Sequence, residues 1–245
     1  LDSSLIVLAV FKFVLLIFSL SFHECCHAWV ASLLGDQTAR MHGRVTLNPA
    51  AHVDPIGTLL FPAIAIFGPL FNFPLRFMLI GWAKPVPVNT RFFRKIVRDD
   101  NLVSMAGPAA NLLLAAVGTV VLVVVGHLSP QGPAMALSSF EMAIQGQSDG
   151  TTSPLLVLAS LAIVVNLSLT FFNLLPIPPL DGSHVVRNML PYNAVKVYDQ
   201  VSGWLSIILM MTVGGYLMQM AVTPLLRFVY GLLLGMQPQQ MLLMQ

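Results

Sequence analysis

The sequence predicts an all-α membrane protein: a polytopic helix bundle of about five or six transmembrane segments, with a re-entrant hairpin and short β-strands near the cytoplasmic face. Three observations carry this. Of 245 residues, 56% are hydrophobic and 9% charged, with mean hydropathy +0.81, whereas soluble domains carry about 25% charged residues. The apolar residues fall in runs close to the ~20 that a helix needs to cross the hydrocarbon core. Lys and Arg gather in some connecting segments and are missing from others, the asymmetry that sets orientation in a membrane. The runs extend over the whole chain, so residues 1–245 read as one membrane domain, with a core at 5–185 and C-terminal helices at 201–236.

The first run is Leu5 to Leu33. It has no charged leader or small-residue cleavage site, so it reads as a retained helix and not a secretory signal. The second, Ile56 to Ile80, is interrupted at Gly68-Pro69 and again at Pro74, and proline ends or kinks a helix. Gly81 to Asn89 follows, with Pro85 and Pro87 at alternating positions, which suits an edge strand or a plain connector. An edge strand here, or at Gly43 to Leu47, could pair with an unwound peptide by strand addition. Leu102 to Val125 is the next span. Gly126 to Pro154 is polar and rich in Gly and Ser, and reads as a long loop. Leu155 to Leu175, Val201 to Met220 and a shorter Pro224 to Leu234 complete the set.

Residues 23 to 27 of the first run read His-Glu-Cys-Cys-His. Histidines at i and i+4 share a helix face and can share a metal, and the adjacent Glu24 can reach a water held there. Zinc suits imidazole and carboxylate ligands with one position left open. It lowers the pKa of its water to about 7, so Glu24 would act as general base and then pass the proton to a leaving amine. Ionisable residues inside a membrane are expensive and mark functional sites. The expectation is one Zn2+ per chain, bound by His23, His27 and a third residue.

Among the acidic residues, Asp181 is the candidate third ligand. It ends the stretch Asn173-Leu-Leu-Pro-Ile-Pro-Pro-Leu-Asp-Gly182, in which three prolines stop a helix at the end of an apolar run. Irregular backbone at membrane depth is tolerated only when it is buried in protein or lines a polar cavity. His184 is a rival ligand. His52, near Asp54, reads as a loop residue, and His42 and His127 as ordinary loop residues. Cys25 and Cys26 are the two cysteines of the chain; adjacent and apolar in setting, they form no disulfide framework and read as packing residues.

Topology follows from these placements. Lys84, Arg91, Arg94, Lys95 and Arg98 put Trp82 to Asn101 in the cytoplasm, and Gly126 to Pro154, with neither Lys nor Arg, lies outside. Arg187 and Lys196 return Pro176 to Gln200 to the cytoplasm. Asp181 is thus near the cytoplasmic face, and His23 must meet it there. Leu5 to His23 rises about 27 Å as a helix, so the N-terminus is external and the first helix runs inward. Ile56 to Ile80 then starts and ends on one side, as a re-entrant hairpin.

A net charge of +2, with no basic-aromatic stripe, excludes nucleic acid as a partner. Two other classes share a buried His/Asp set: a metal-binding transporter and a non-catalytic membrane scaffold. Glu24 discriminates, because a transporter does not need a non-ligating carboxylate beside its first histidine.

Together, His23-Glu-Cys-Cys-His27, Gly107-Pro-Ala-Ala-Asn111 and Asn173 to Gly182 resemble, in order, the site-2 protease family of intramembrane zinc metalloproteases. Leu47 to Gly57 and Gly81 to Asn89 resemble its compact branch, which lacks a peptide-binding domain. The resemblance implies zinc on His23, His27 and Asp181, with Glu24 catalytic. It implies a transmembrane protein as substrate, cut within the lipid bilayer, and a prokaryotic cytoplasmic (inner) membrane as the location. It also offers Asn173 as a catalytic donor to the scissile carbonyl, against the alternative of an amide that holds a broken helix together. Asn111, one turn after Gly107, reads as a small-residue packing position.

Overall fold

The computed structural model describes residues 3–71, 83–128, 132–147, 152–201 and 215–233. Helix α1 (Ser3–Leu33) is ended by Gly35, whose φ of +114° opposes continuation, with Asp36 N–H closing on Ala31 O at 3.0 Å. A short α2 (Thr38–Met41) follows. Single turns at Pro49–Ala51 and Pro55–Leu60 are capped by the Asn48 and Asp54 side chains. Helix α3 (Phe61–Phe67) continues into a tight turn Gly68–Phe71 and lies on α1, where the Phe13 and Phe67 rings stand 5.8 Å apart. The second arm of the expected hairpin, residues 72–80, lies outside the described residues.

Residues 83–89 carry no regular structure. Pro85 and Pro87 offer no N–H to a ladder. The buried Arg44 guanidinium instead takes up carbonyls, donating to Lys84 O at 3.2 Å, Pro85 O at 3.1 Å and Ala51 O at 2.6 Å. Lys84 N–H donates to His52 O at 2.9 Å, and Asn89 N–H to the buried Asp36 at 2.6 Å. No strand occurs among the described residues, so the expected short β-strands are not seen there.

Helix α4 (Ile96–His127) is followed by α5 (Gly132–Gln145) and α6 (Pro154–Leu174). The helix at α5 corrects the expectation of a long loop from Gly126 to Pro154. The Gly and Ser content masked a helical spacing: Ala136, Phe140 and Ala143 are all buried against neighbouring helices. Pro154 sits in the first turn of α6, where it is tolerated, and Pro176 follows its last turn. Short helices α7 (Asp181–Met189) and α8 (Tyr192–Val201) lead to α9 (Gly215–Leu233), which begins ahead of the expected Pro224. Most of the expected Val201 to Met220 run, 202–214, lies outside the described residues.

The protein is an all-α, multi-spanning membrane bundle; three described helices, α1, α4 and α6, are long and apolar enough to span. Helix α4 is the centre, packed most extensively on α6 and next on α1. At Gly118 a side chain would press on Ala159 O at 3.0 Å, so small residues set the α4–α6 spacing. Leu122, Phe140 and Ile163 fill the core between α4, α5 and α6.

Candidate metal centre

His23 and His27 are one turn apart on α1 and buried, facing α4. Each ring is tied down through Nδ1. His23 Nδ1–H donates to Asn111 Oδ1 at 2.6 Å, and His27 Nδ1–H donates to Val103 O at 2.6 Å. A carbonyl oxygen has two lone pairs, so Val103 can serve its helix and His27 together. With both Nδ1 atoms protonated, both Nε2 atoms present lone pairs, and these lie 3.0 Å apart.

Asp181 reaches the same point from α7. Its Oδ2 lies 3.1 Å from His23 Nε2 and its Oδ1 lies 3.3 Å from His27 Nε2. Gly182 makes this approach possible, because a Cβ there would lie 2.5 Å from the Leu174 carbonyl carbon and 2.8 Å from Leu175 O. The three ligand atoms fall within 4.8 Å of one another, in the one such group among the described residues.

Two buried lone-pair nitrogens and a partly buried carboxylate repel unless a cation joins them. Asp181 Oδ2 is buried without a hydrogen bond, the state expected of an oxygen reserved for a metal. Imidazole and carboxylate are zinc-type donors, and the Nδ1 bonds are the outer partners that such histidines use. Glu24 is half-buried beside the set. With Asp181 it supplies two negative charges, which balance a dication to zero in a medium where net charge is costly. The residues therefore fit a zinc ion.

Helix α4 also closes the site from above. A Cβ at Gly107 would overlap His27 Nε2 and stand 2.5 Å from His23 Cε1 and Nε2. Behind His23 the polar contacts continue. Asn111 Nδ2 donates to Asn166 Oδ1 at 2.8 Å and lies 3.4 Å from Ser19 O; Asn166 Nδ2 donates to Ala162 O at 2.9 Å. Both amides are fully buried. Asn111 thus binds a candidate ligand, which corrects its reading as a packing position. Asn166 belongs to no motif; its signal in the sequence is an amide in the middle of an apolar run.

Asn173, in the last turn of α6, donates from Nδ2 to Leu169 O at 3.0 Å. His184 is exposed and outside the ligand group. His52 is buried, with Nε2–H donating to Thr46 O at 2.9 Å, the loop role expected of it. His42 and His127 are exposed and bond the carbonyls of Thr38 and Val123.

The family model described as peptidase family M50 matches residues 61–216, a stretch that contains Gly107, Asn111, Asn166 and Asp181 and begins after His27. The chain is 40% identical over 176 residues to the candidate zinc metalloprotease YwhC of Bacillus subtilis (strain 168), covering 72% of this chain and 67% of that protein. It is 37% identical over 97 residues to the candidate zinc metalloprotease Rip2 of Mycolicibacterium smegmatis, covering 40% of this chain and 34% of the relative. No solved structure matches it.

Proposed function

The chain belongs to peptidase family M50, the site-2 zinc metalloproteases, and from that premise we propose that it hydrolyses a peptide bond in a transmembrane segment of another membrane protein. The observation that carries the reading is the convergence of His23 Nε2, His27 Nε2 and Asp181 within 4.8 Å, with Glu24 next in sequence to the first of them. These three residues would hold one zinc ion, which would supply Lewis acidity for the peptide carbonyl and the attacking water. Asn111 and Val103 fix both imidazoles with Nε2 toward the ion.

Glu24 takes the proton from the attacking water and returns it to the departing amine. Asn173 lies eight residues before Asp181 in sequence. An amide nitrogen carries two N–H bonds; one goes to Leu169, and the other is assigned to the carbonyl oxygen under attack, where a preorganised donor is most useful. The N-terminus is external and the site faces the cytoplasmic side, a reading that the Lys and Arg distribution supports. The substrate helix must unwind to expose its peptide bond to these residues.

The test uses the purified chain and a candidate membrane substrate, comparing wild type with Glu24→Gln. Zinc should be bound by both and cleavage should be confined to wild type. Cleavage at the wild-type rate by Glu24→Gln would overturn the mechanism, and a wild-type chain without zinc would overturn the metal centre.

A further inference from the structure

Asn166 touches neither a ligand of the proposed metal nor Glu24, yet it is bound to one ligand through a single intermediary. The bonds have a direction. Ala162 O is a helix carbonyl and can only accept, so Asn166 must turn its Nδ2 toward it, at 2.9 Å. Its Oδ1 is thereby left facing Asn111, whose Nδ2 donates to it at 2.8 Å. That in turn leaves the Asn111 Oδ1 for His23 Nδ1–H at 2.6 Å. The orientation of each amide is forced by the one before it.

We infer that Asn166 is a positioning residue for the metal centre, acting through Asn111 to keep the proton of His23 on Nδ1 and its Nε2 free to bind the ion. Without Asn166, the Asn111 amide keeps only its 3.4 Å contact to Ser19 O on the Nδ2 side. It can then turn over and offer N–H to His23, which selects the tautomer that carries its hydrogen on Nε2, where the metal must bind. Relays of this kind also gain strength from mutual polarisation in a low-dielectric interior. The inference rests on the metal centre proposed above.

The simpler role for Asn166 is to tie α6 to α4, as interhelical amides in membranes do. The two roles separate in a double-mutant cycle read by zinc affinity, with the full-length protein in lipid nanodiscs and a chromogenic chelator as competitor. Asn166→Leu should weaken zinc binding roughly 10- to 100-fold, the scale for losing an outer partner. Asn111→Asp presents only acceptor oxygens to His23 and needs nothing to orient it. In that background Asn166→Leu, which also removes the Oδ1 that faces position 111, should not weaken zinc binding by more than about threefold.

Asn166→Asp should retain near-wild-type affinity, since a neutral carboxylic acid donates to Ala162 and accepts from Asn111. Unchanged affinity in Asn166→Leu, or an equal loss in both backgrounds, overturns the inference. Asn166→Ala serves the same cycle if the leucine chain does not fold. A wild-type protein that binds no zinc refutes the metal centre instead, so the two failures are distinct.

Discussion

Replacing Gly107 by alanine adds one methyl group and removes no chemistry, yet it should empty the metal centre. The new carbon would lie 2.5 Å from His23 Cε1 and Nε2 and closer still to His27 Nε2. Ordinary contact begins near 3.4 Å, so the rings must retreat by about 0.9 Å. They have no free path, because Asn111 and Val103 hold their far nitrogens at 2.6 Å and belong to the same helix as the intruding methyl. Metal–ligand distances tolerate only about 0.2 Å of error. The displacement is several times that, so zinc affinity should fall more than about 100-fold, or about 2.8 kcal/mol at 1.4 kcal/mol per tenfold. Alanine is a better helix former than glycine by about 1 kcal/mol, so the helix itself gains. The assay is chelator competition on the solubilised protein, with thermal unfolding as a control for folding. A folded Gly107→Ala protein with wild-type zinc affinity would refute the reasoning.

Two further outcomes follow from the loop and from topology. Arg44→Met removes three bonds from a buried guanidinium to the carbonyls of Ala51, Lys84 and Pro85; hydrogen exchange at the Lys84 amide should rise about tenfold or more, while amides in the middle of α6 keep their rates. Equal exchange in both proteins would show that Arg44 does not pin this segment. In a background with Cys25 and Cys26 replaced by alanine, Leu47→Cys, which is half exposed, should react with a membrane-impermeant maleimide only after the cells are opened, and Ser4→Cys should react without opening. Labelling of position 47 in intact cells would reverse the orientation argued from charge.

The spans were legible where length and composition act alone, as in Leu5 to Leu33 against α1 at Ser3–Leu33 and Leu155 to Leu175 against α6 at Pro154–Leu174. The pair His23 and His27 was legible because i and i+4 spacing fixes a shared face within one helix. Asp181 was legible through its prolines, which announce irregular backbone at depth. Asn111 and Asn166 were not. Their contacts span 88 and 55 residues of sequence, and only the α1–α4–α6 packing decides which buried amide meets which ring. Helix α5 was hidden for a different reason: Gly and Ser raise loop propensity, while burial of Ala136, Phe140 and Ala143 decides the outcome.

Val103, Gly107 and Asn111 stand four residues apart on α4, opposite His23 and His27 on α1, with the later histidine paired to the earlier acceptor. Two antiparallel helices so matched have one register. A slip by a single turn, about 5.4 Å, would strand both imidazoles against hydrocarbon and drive a side chain into the space that only glycine leaves open. The contact therefore fixes depth as well as chemistry: α1 and α4 share one register, and that register sets the width of the gap that Asp181 enters.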